Sequence, residues 1–255
     1  MLDYNHRPTC ADRINAAIDE AIVAERAAIP PRTYLGGSRL GHPCERALQF
    51  EFAGAPKDEG QEFSGQTLRI FEIGHALEDL AIRWLRVAGF DLYTRKGNRP
   101  DGEQFGFSVA GGRIRGHVDG IIAAGPQPLG IGVPALWECK TMNARNWRET
   151  VTKGVGLAKP VYAAQIALYQ AYMEAQVPGI AENPALFTAI NKDTAELHHE
   201  LVPFDTSLAQ RMSDRAVRIL QATDAGDLLP RIATTRDFHE CRMCPWAERC
   251  WGRPA

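Results

Sequence analysis

Trp137-Glu138-Cys139-Lys140-Thr141 is the stretch on which the fold turns. With Leu136 before it, it reads as a strand over 135–141. Side chains alternate along a strand, so Glu138 and Lys140 share one face and Cys139 takes the other. A carboxylate and an ammonium group so placed suit phosphodiester cleavage. The carboxylate holds a divalent cation; the lysine orients or deprotonates the attacking water, or offsets charge in the transition state. Cys139 then points into the core as a small apolar residue. An ion pair on an exposed edge strand would give the same letters. Leu136 and Trp137 instead mark a largely buried strand, where an unpaired Glu and Lys are costly.

Upstream, Arg115-Gly116-His117-Val118-Asp119-Gly120 places an aspartate among Val118, Ile121 and Ile122. A metal ligand or a turn aspartate before Gly120 both account for it. His75, in Gly74-His75-Ala76-Leu77-Glu78, sits inside a helical pattern with Glu78 three residues on along the same face. His75 and Glu78 on one face, with Asp119 and Glu138, could complete an oxygen-rich set that suits Mg2+ or Mn2+, and manganese tolerates the imidazole better. Gln165 and Tyr169 lie one helical turn apart. Tyr169 belongs either to the apolar stripe with Tyr162, Ile166 and Met173 or to a site that positions a phosphate or stacks a base.

Four cysteines bracket this region: Cys44, and the run Cys241-x2-Cys244-x5-Cys250. Four thiolates serve zinc or an iron–sulfur cluster equally well. Joining such distant segments removes much unfolded-chain entropy, which gives the site a structural role. Cys10 has no partner in the pattern and reads as an ordinary thiol.

Taken together, Gly74-His75, Asp119, Glu138-x-Lys140 and Gln165-x3-Tyr169 resemble the RecB-like branch of the PD-(D/E)XK nucleases, over roughly residues 34–250. The resemblance implies a restriction-endonuclease-like α/β fold, with a central mixed sheet flanked by helices. It implies His75, Asp119, Glu138 and the Cys139 carbonyl as ligands of Mg2+ or Mn2+, and Lys140 as the catalytic lysine, with Gln165 and Tyr169 beside them. No proline precedes Asp119, a departure common in that superfamily. The one-plus-three cysteine spacing, with Ser38-Arg39-Leu40-Gly41-x-x-Cys44-x-Arg46, is similar to the iron–sulfur nucleases of that branch. These include the CRISPR-associated Cas exonuclease and the AddB helicase-nuclease subunit. The likeness implies a 4Fe–4S cluster on Cys44, Cys241, Cys244 and Cys250 that joins the N- and C-terminal segments. It also implies exonuclease action on single-stranded DNA or frayed ends, and a helicase, recombination or CRISPR protein as partner. Endonuclease or flap cleavage by the same chemistry, or a non-catalytic DNA-end-binding subunit, are the alternatives.

The rest of the chain fits this frame. Its 255 residues, 45% hydrophobic, suffice for a single nuclease domain over 1–255, with 34–52 and 236–251 forming the cluster-binding clasp. No apolar run approaches the ~20 residues of a membrane span, and the start MLDYNHRPTCADR lacks the apolar stretch of a secretory signal. A cytoplasmic setting is therefore expected, where thiols stay reduced. The net charge of −2 is not the footprint of a protein that coats nucleic acid. Basic residues nonetheless cluster locally, at Arg95, Lys96 and Arg99 and again at Arg145, Arg148 and Lys153. Periodicity predicts helices over 11–28, 45–52, 67–88, 161–175 and 206–222. It predicts strands over 90–94, 105–109, 114–122, 135–141, 185–190 and 196–202, with hairpins at Ala110-Gly111-Gly112 and Lys192-Asp193. Neither a dinucleotide fingerprint nor a P-loop occurs, which argues against an ATPase.

Overall fold

The computed structural model describes residues 8–98 and 101–252; the first seven residues and Arg99 of the basic run lie outside it. In chain order the helices are α1 (Cys10–Ala27), α2 (Glu45–Phe52), α3 (Gly65–Val87), α4 (Ala144–Lys153), α5 (Val155–Ala158), α6 (Pro160–Met173), α7 (Thr206–Ala225), α8 (His239–Arg242) and α9 (Ala247–Trp251). The strands are β1 (Leu35–Gly36), β2 (Asp91–Tyr93), β3 (Gly106–Val109), β4 (Ile114–His117), β5 (Gly120–Ala124), β6 (Ala135–Met142), β7 (Ala185–Asn191) and β8 (Leu197–Val202).

The main sheet runs β2-β5-β6-β7-β8. Only β6 and β7 pair in parallel, which makes the sheet mixed. A parallel pair needs a long crossover, and α4 to α6 supply it. The sequence reading had assigned no structure to 144–158, yet α4 and α5 fill it. Asn143 caps α4 by accepting from the Asn146 N–H at 2.9 Å, and Gly154 at φ 75° ends it.

Alternation along β6 divides the core in two. Leu136 and Met142 face α6 and α7, with Leu168, Met173 and Ile219. Trp137 and Cys139 face α3, with Ala81 and Leu85. The expectation for Cys139 holds: it is buried, and burial pushes its thiol well up. Trp137 is fully buried, and its indole N–H donates to Thr188 Oγ1 at 2.9 Å. Burying a ring of that size without orphaning its donor stabilises by roughly 2–3 kcal/mol.

One expected strand divides. The stretch 114–122 is β4 and β5, in different sheets. β4 pairs with β3 and β1 in a small three-stranded sheet, and the predicted hairpin turn at Ala110-Gly111-Gly112 is present, all three at positive φ. At Val118, fully buried and bonded through its N–H to Phe105 O, the chain leaves the small sheet. Asp119 occupies the break.

Candidate active site

β5 pairs with β6 only from Gly120↔Trp137 to Ile122↔Ala135. Beyond Trp137 the strands part, and the next backbone donor of β6 loses its ladder partner. The Asp119 carboxylate takes that role, accepting from the Cys139 N–H at 2.8 Å. Where the pairing ends, Leu92 packs closely on Gly120: a Cβ there would stand 2.6 Å from Leu92 Cδ1. The position of Asp119 at the mouth of the divide thus follows from sheet geometry.

Glu138 lies beside it with no exposed surface. Its Oε1 accepts from Gln165 Nε2 of α6 at 2.6 Å and from Lys140 Nζ. Its Oε2 is buried and has no hydrogen-bond partner among the described residues. Lys140 also stands 3.9 Å from Asp119 Oδ2, and its Nζ lies 5.5 Å from the Tyr162 ring centroid. Burial, then the nearby Asp119 carboxylate, push Glu138 up to about 8. Burial opposes the charge on Lys140 too, but Glu138 and Asp119 outweigh it and hold the ammonium up.

Glu78 of α3, expected beside His75 to help complete a hard-metal site, stands in the field of Asp119 and Glu138. It is half-buried, and burial, then Asp119, raise it to about 7. It lies three and seven residues before Ala81 and Leu85 of the apolar stripe, and a carboxylate on that stripe was the available signal. α3 comes close to β6 at Gly74, where an added Cβ would stand 3.5 Å from Thr141 Oγ1. His75 follows directly. It is exposed, and among the described residues it makes no hydrogen bond or ion pair.

Of the two readings open for Tyr169, burial accords with the apolar stripe and not with base stacking. At 2% exposure its ring cannot receive a base. It packs edge-on against Phe107, with centroids 5.2 Å apart, and its hydroxyl bonds Ser38. Burial, then Glu138, raise its phenol. Gly37 and Gly116 close on it, since a Cβ on either would stand within 2.9 Å of its Cε1. Tyr169 therefore locks the small sheet to α6 and so holds Gln165 in place.

The donor set suits a hard divalent cation: two raised carboxylates, a third beside them, and one orphaned buried oxygen. Among the described residues no ready-made shell of three His, Cys, Asp or Glu side chains is assembled. Lys140 supplies the positive charge between Glu138 and Asp119.

Cys44, Cys241, Cys244 and Cys250 form a second grouping. Cys44, Cys244 and Cys250 pack around Ala47, Phe50 and Trp246. Burial raises the thiols of Cys241 and Cys244, and Cys44 and Cys250 add to both shifts, so the four stand in one another's field. Cys10 is exposed on α1, apart from that cluster.

The profile of the PD-(D/E)XK nuclease superfamily matches residues 38–251. No curated protein matches the sequence significantly. Among solved structures, an alkaline exonuclease from Laribacter hongkongensis, LHK-Exo, is 14% identical over 81% of this chain and 93% of its own, with a TM-score of 0.49. The same enzyme in complex with dAMP gives 15% over 83% and 93%, at 0.49. SSO0001 gives 15% over 95% and 98%, also at 0.49. Among the described residues no helix is long and apolar enough to cross a membrane.

Proposed function

The chain belongs to the PD-(D/E)XK nuclease superfamily and is a phosphodiesterase of that type, and from that premise we propose that it is a divalent-metal-dependent exonuclease acting on single-stranded DNA or frayed ends. The observation that carries the site assignment is Glu138: fully buried, tied to Lys140 and Gln165, with one oxygen unpartnered beside Asp119. Asp119, Glu138, Glu78, His75 and the Cys139 carbonyl are the groups that would hold Mg2+ or Mn2+. Such a cation, when bound, would supply Lewis-acid chemistry to the phosphate and to a water molecule. Lys140 orients that water and offsets the charge that builds on the phosphate, and Gln165 fixes the Glu138 carboxylate. An intact Asp119, Glu138 and Lys140 set argues for a working enzyme over a DNA-end-binding subunit.

The four clustered cysteines support a structural 4Fe–4S site on Cys44, Cys241, Cys244 and Cys250 that joins residues 34–52 to 236–251. Their donor chemistry suits it, since all four are sulfur and come from two distant segments; Cys44, Cys244 and Cys250 border one apolar cluster and Cys241 stands in their field, while among the described residues no three-donor metal shell is assembled. The similarity to RecB-like nucleases supports the choice of DNA ends and of a helicase, recombination or CRISPR protein as partner in the cytoplasm.

The test uses end-labelled linear DNA and covalently closed circular single strands with Mn2+, Mg2+ or EDTA. Loss of the linear strand alone, and only with metal, is the expected result. Equal cutting of circles would make the enzyme an endonuclease.

A further inference from the structure

Arg46 lies two residues after Cys44 and is 5% exposed. Its Nε donates to the carbonyl of Leu229, and its Nη1 reaches Sγ of Cys250 at 3.6 Å. Guanidinium stays charged under all ordinary conditions. A buried charge needs a partner of opposite sign, or it costs several kcal/mol. No carboxylate among the described residues serves. Glu45 is held by Arg215 and Arg218 and Glu51 by Arg39; Glu240 lies 2.7 Å from His239 Nε2, its other oxygen is buried without a partner, and no ion pair joins it to Arg46 among the described residues. Asp58 accepts from the backbone of Glu248 and Arg249. A carbonyl offsets only part of the charge, and a neutral thiol is a weak acceptor. Cysteines that bind metal do so as thiolates, and four of them around a 4Fe–4S core or a zinc ion leave the site net negative.

We infer that Arg46 is the counter-cation of the cysteine site: its buried charge stabilises the metal-bound Cys250 thiolate and governs how firmly the site keeps its metal. This rests on the reading of the four cysteines as a metal–thiolate site. Arg46 is a positioning residue and touches no substrate. Hydrogen bonds to cluster sulfurs and nearby charge are known levers on reduction potential and metal affinity.

Gln49 provides the control. It is equally buried, accepts from Leu229 N at 2.9 Å, donates to Asp227 O at 2.5 Å, and its bonds go to backbone groups, not to sulfur. Wild type, Arg46→Met, Arg46→Gln, Arg46→Lys and Gln49→Leu would be purified without oxygen. Bound metal, its loss to a chelator, the midpoint potential and the melting temperature would be measured for each. Arg46→Met and Arg46→Gln should retain metal roughly 10–100-fold less firmly, the range for losing an outer-shell partner. Any cluster left in them should have a more negative potential, because the reduced, more negative form loses its cation. Arg46→Lys should rescue retention, and Gln49→Leu should melt lower but stay loaded. Arg46→Gln keeps a donor for Leu229 and covers the case in which Arg46→Met fails to fold. If wild type carries zinc, the retention readouts decide alone. Uncharged variants with wild-type retention and potential, or a Gln49→Leu protein that loses metal as readily, overturn the inference alone. A wild type without metal overturns it together with the cysteine reading.

Discussion

A carboxylate with no exposed surface and another carboxylate beside it needs either a cation or a proton, and among the described residues Lys140 is the cation paired with Glu138. This defines the pH behaviour. Glu78 and Glu138 are raised from an ordinary 4.5 to about 7 and about 8. Their protonated forms favour the metal-free fold below pH 4.5, and that contribution is lost as pH rises towards about 8. A bound cation favours the ionised forms, so Mg2+ should raise the melting temperature far more at pH 8.5 than at pH 5.5. Melting curves with and without Mg2+ that stay parallel across that range would contradict the assignment. Lys140→Ala should cut turnover by roughly 10²–10³-fold, the scale of losing one charge-stabilising group. It should leave the Mg2+-induced rise in melting temperature largely intact. The sequence revealed Asp119, Glu138 and Lys140 because polar residues stood where a strand pattern demanded apolar ones. Tyr169 was not resolved, because a tyrosine on an apolar helix stripe has the same letters whether its ring meets DNA or Phe107.

Among the elements, the break between β4 and β5 matters most, because it releases Asp119 from the ladder. Hydrophobic alternation runs on through 114–122, and nothing in that pattern signals a change of sheet. The clue lay in the glycines. Gly116 and Gly120 mark points where side chains from other elements press on the backbone. Gly116→Ala would force a Cβ to about 2.5 Å from Phe107 Cζ. The overpacking should cost about 1–3 kcal/mol and shift the small sheet from Tyr169. Urea denaturation checks the first effect. The second should appear as lowered turnover at unchanged metal affinity. α4 escaped notice because its inward residues, Asn146, Trp147 and Thr150, are mostly polar. Its cap residues, Asn143 and Gly154, were the legible part.

Over the whole molecule, the cysteine spacing alone indicated that the chain's ends meet. The protein contacts that join them were invisible in the sequence. Gln49 bonds Asp227 and Leu229, Trp246 donates to Ala55 O at 2.9 Å, and Arg215 donates to Leu40 O and His42 O at 2.9 Å. These ties do not depend on the sulfurs. Cys250→Ser should therefore lose the metal and lower the melting temperature, yet keep its helical circular dichroism. Global unfolding of that variant would show that the metal holds the ends together by itself. The proposed catalytic site lies at the divide between β5 and β6. The most direct measurement is digestion of an end-labelled single strand with saturating Mn2+ by wild type and Glu138→Ala, both verified as folded. The account predicts complete degradation by wild type and none by the variant above the EDTA control. Glu138→Ala cutting at the wild-type rate would contradict it.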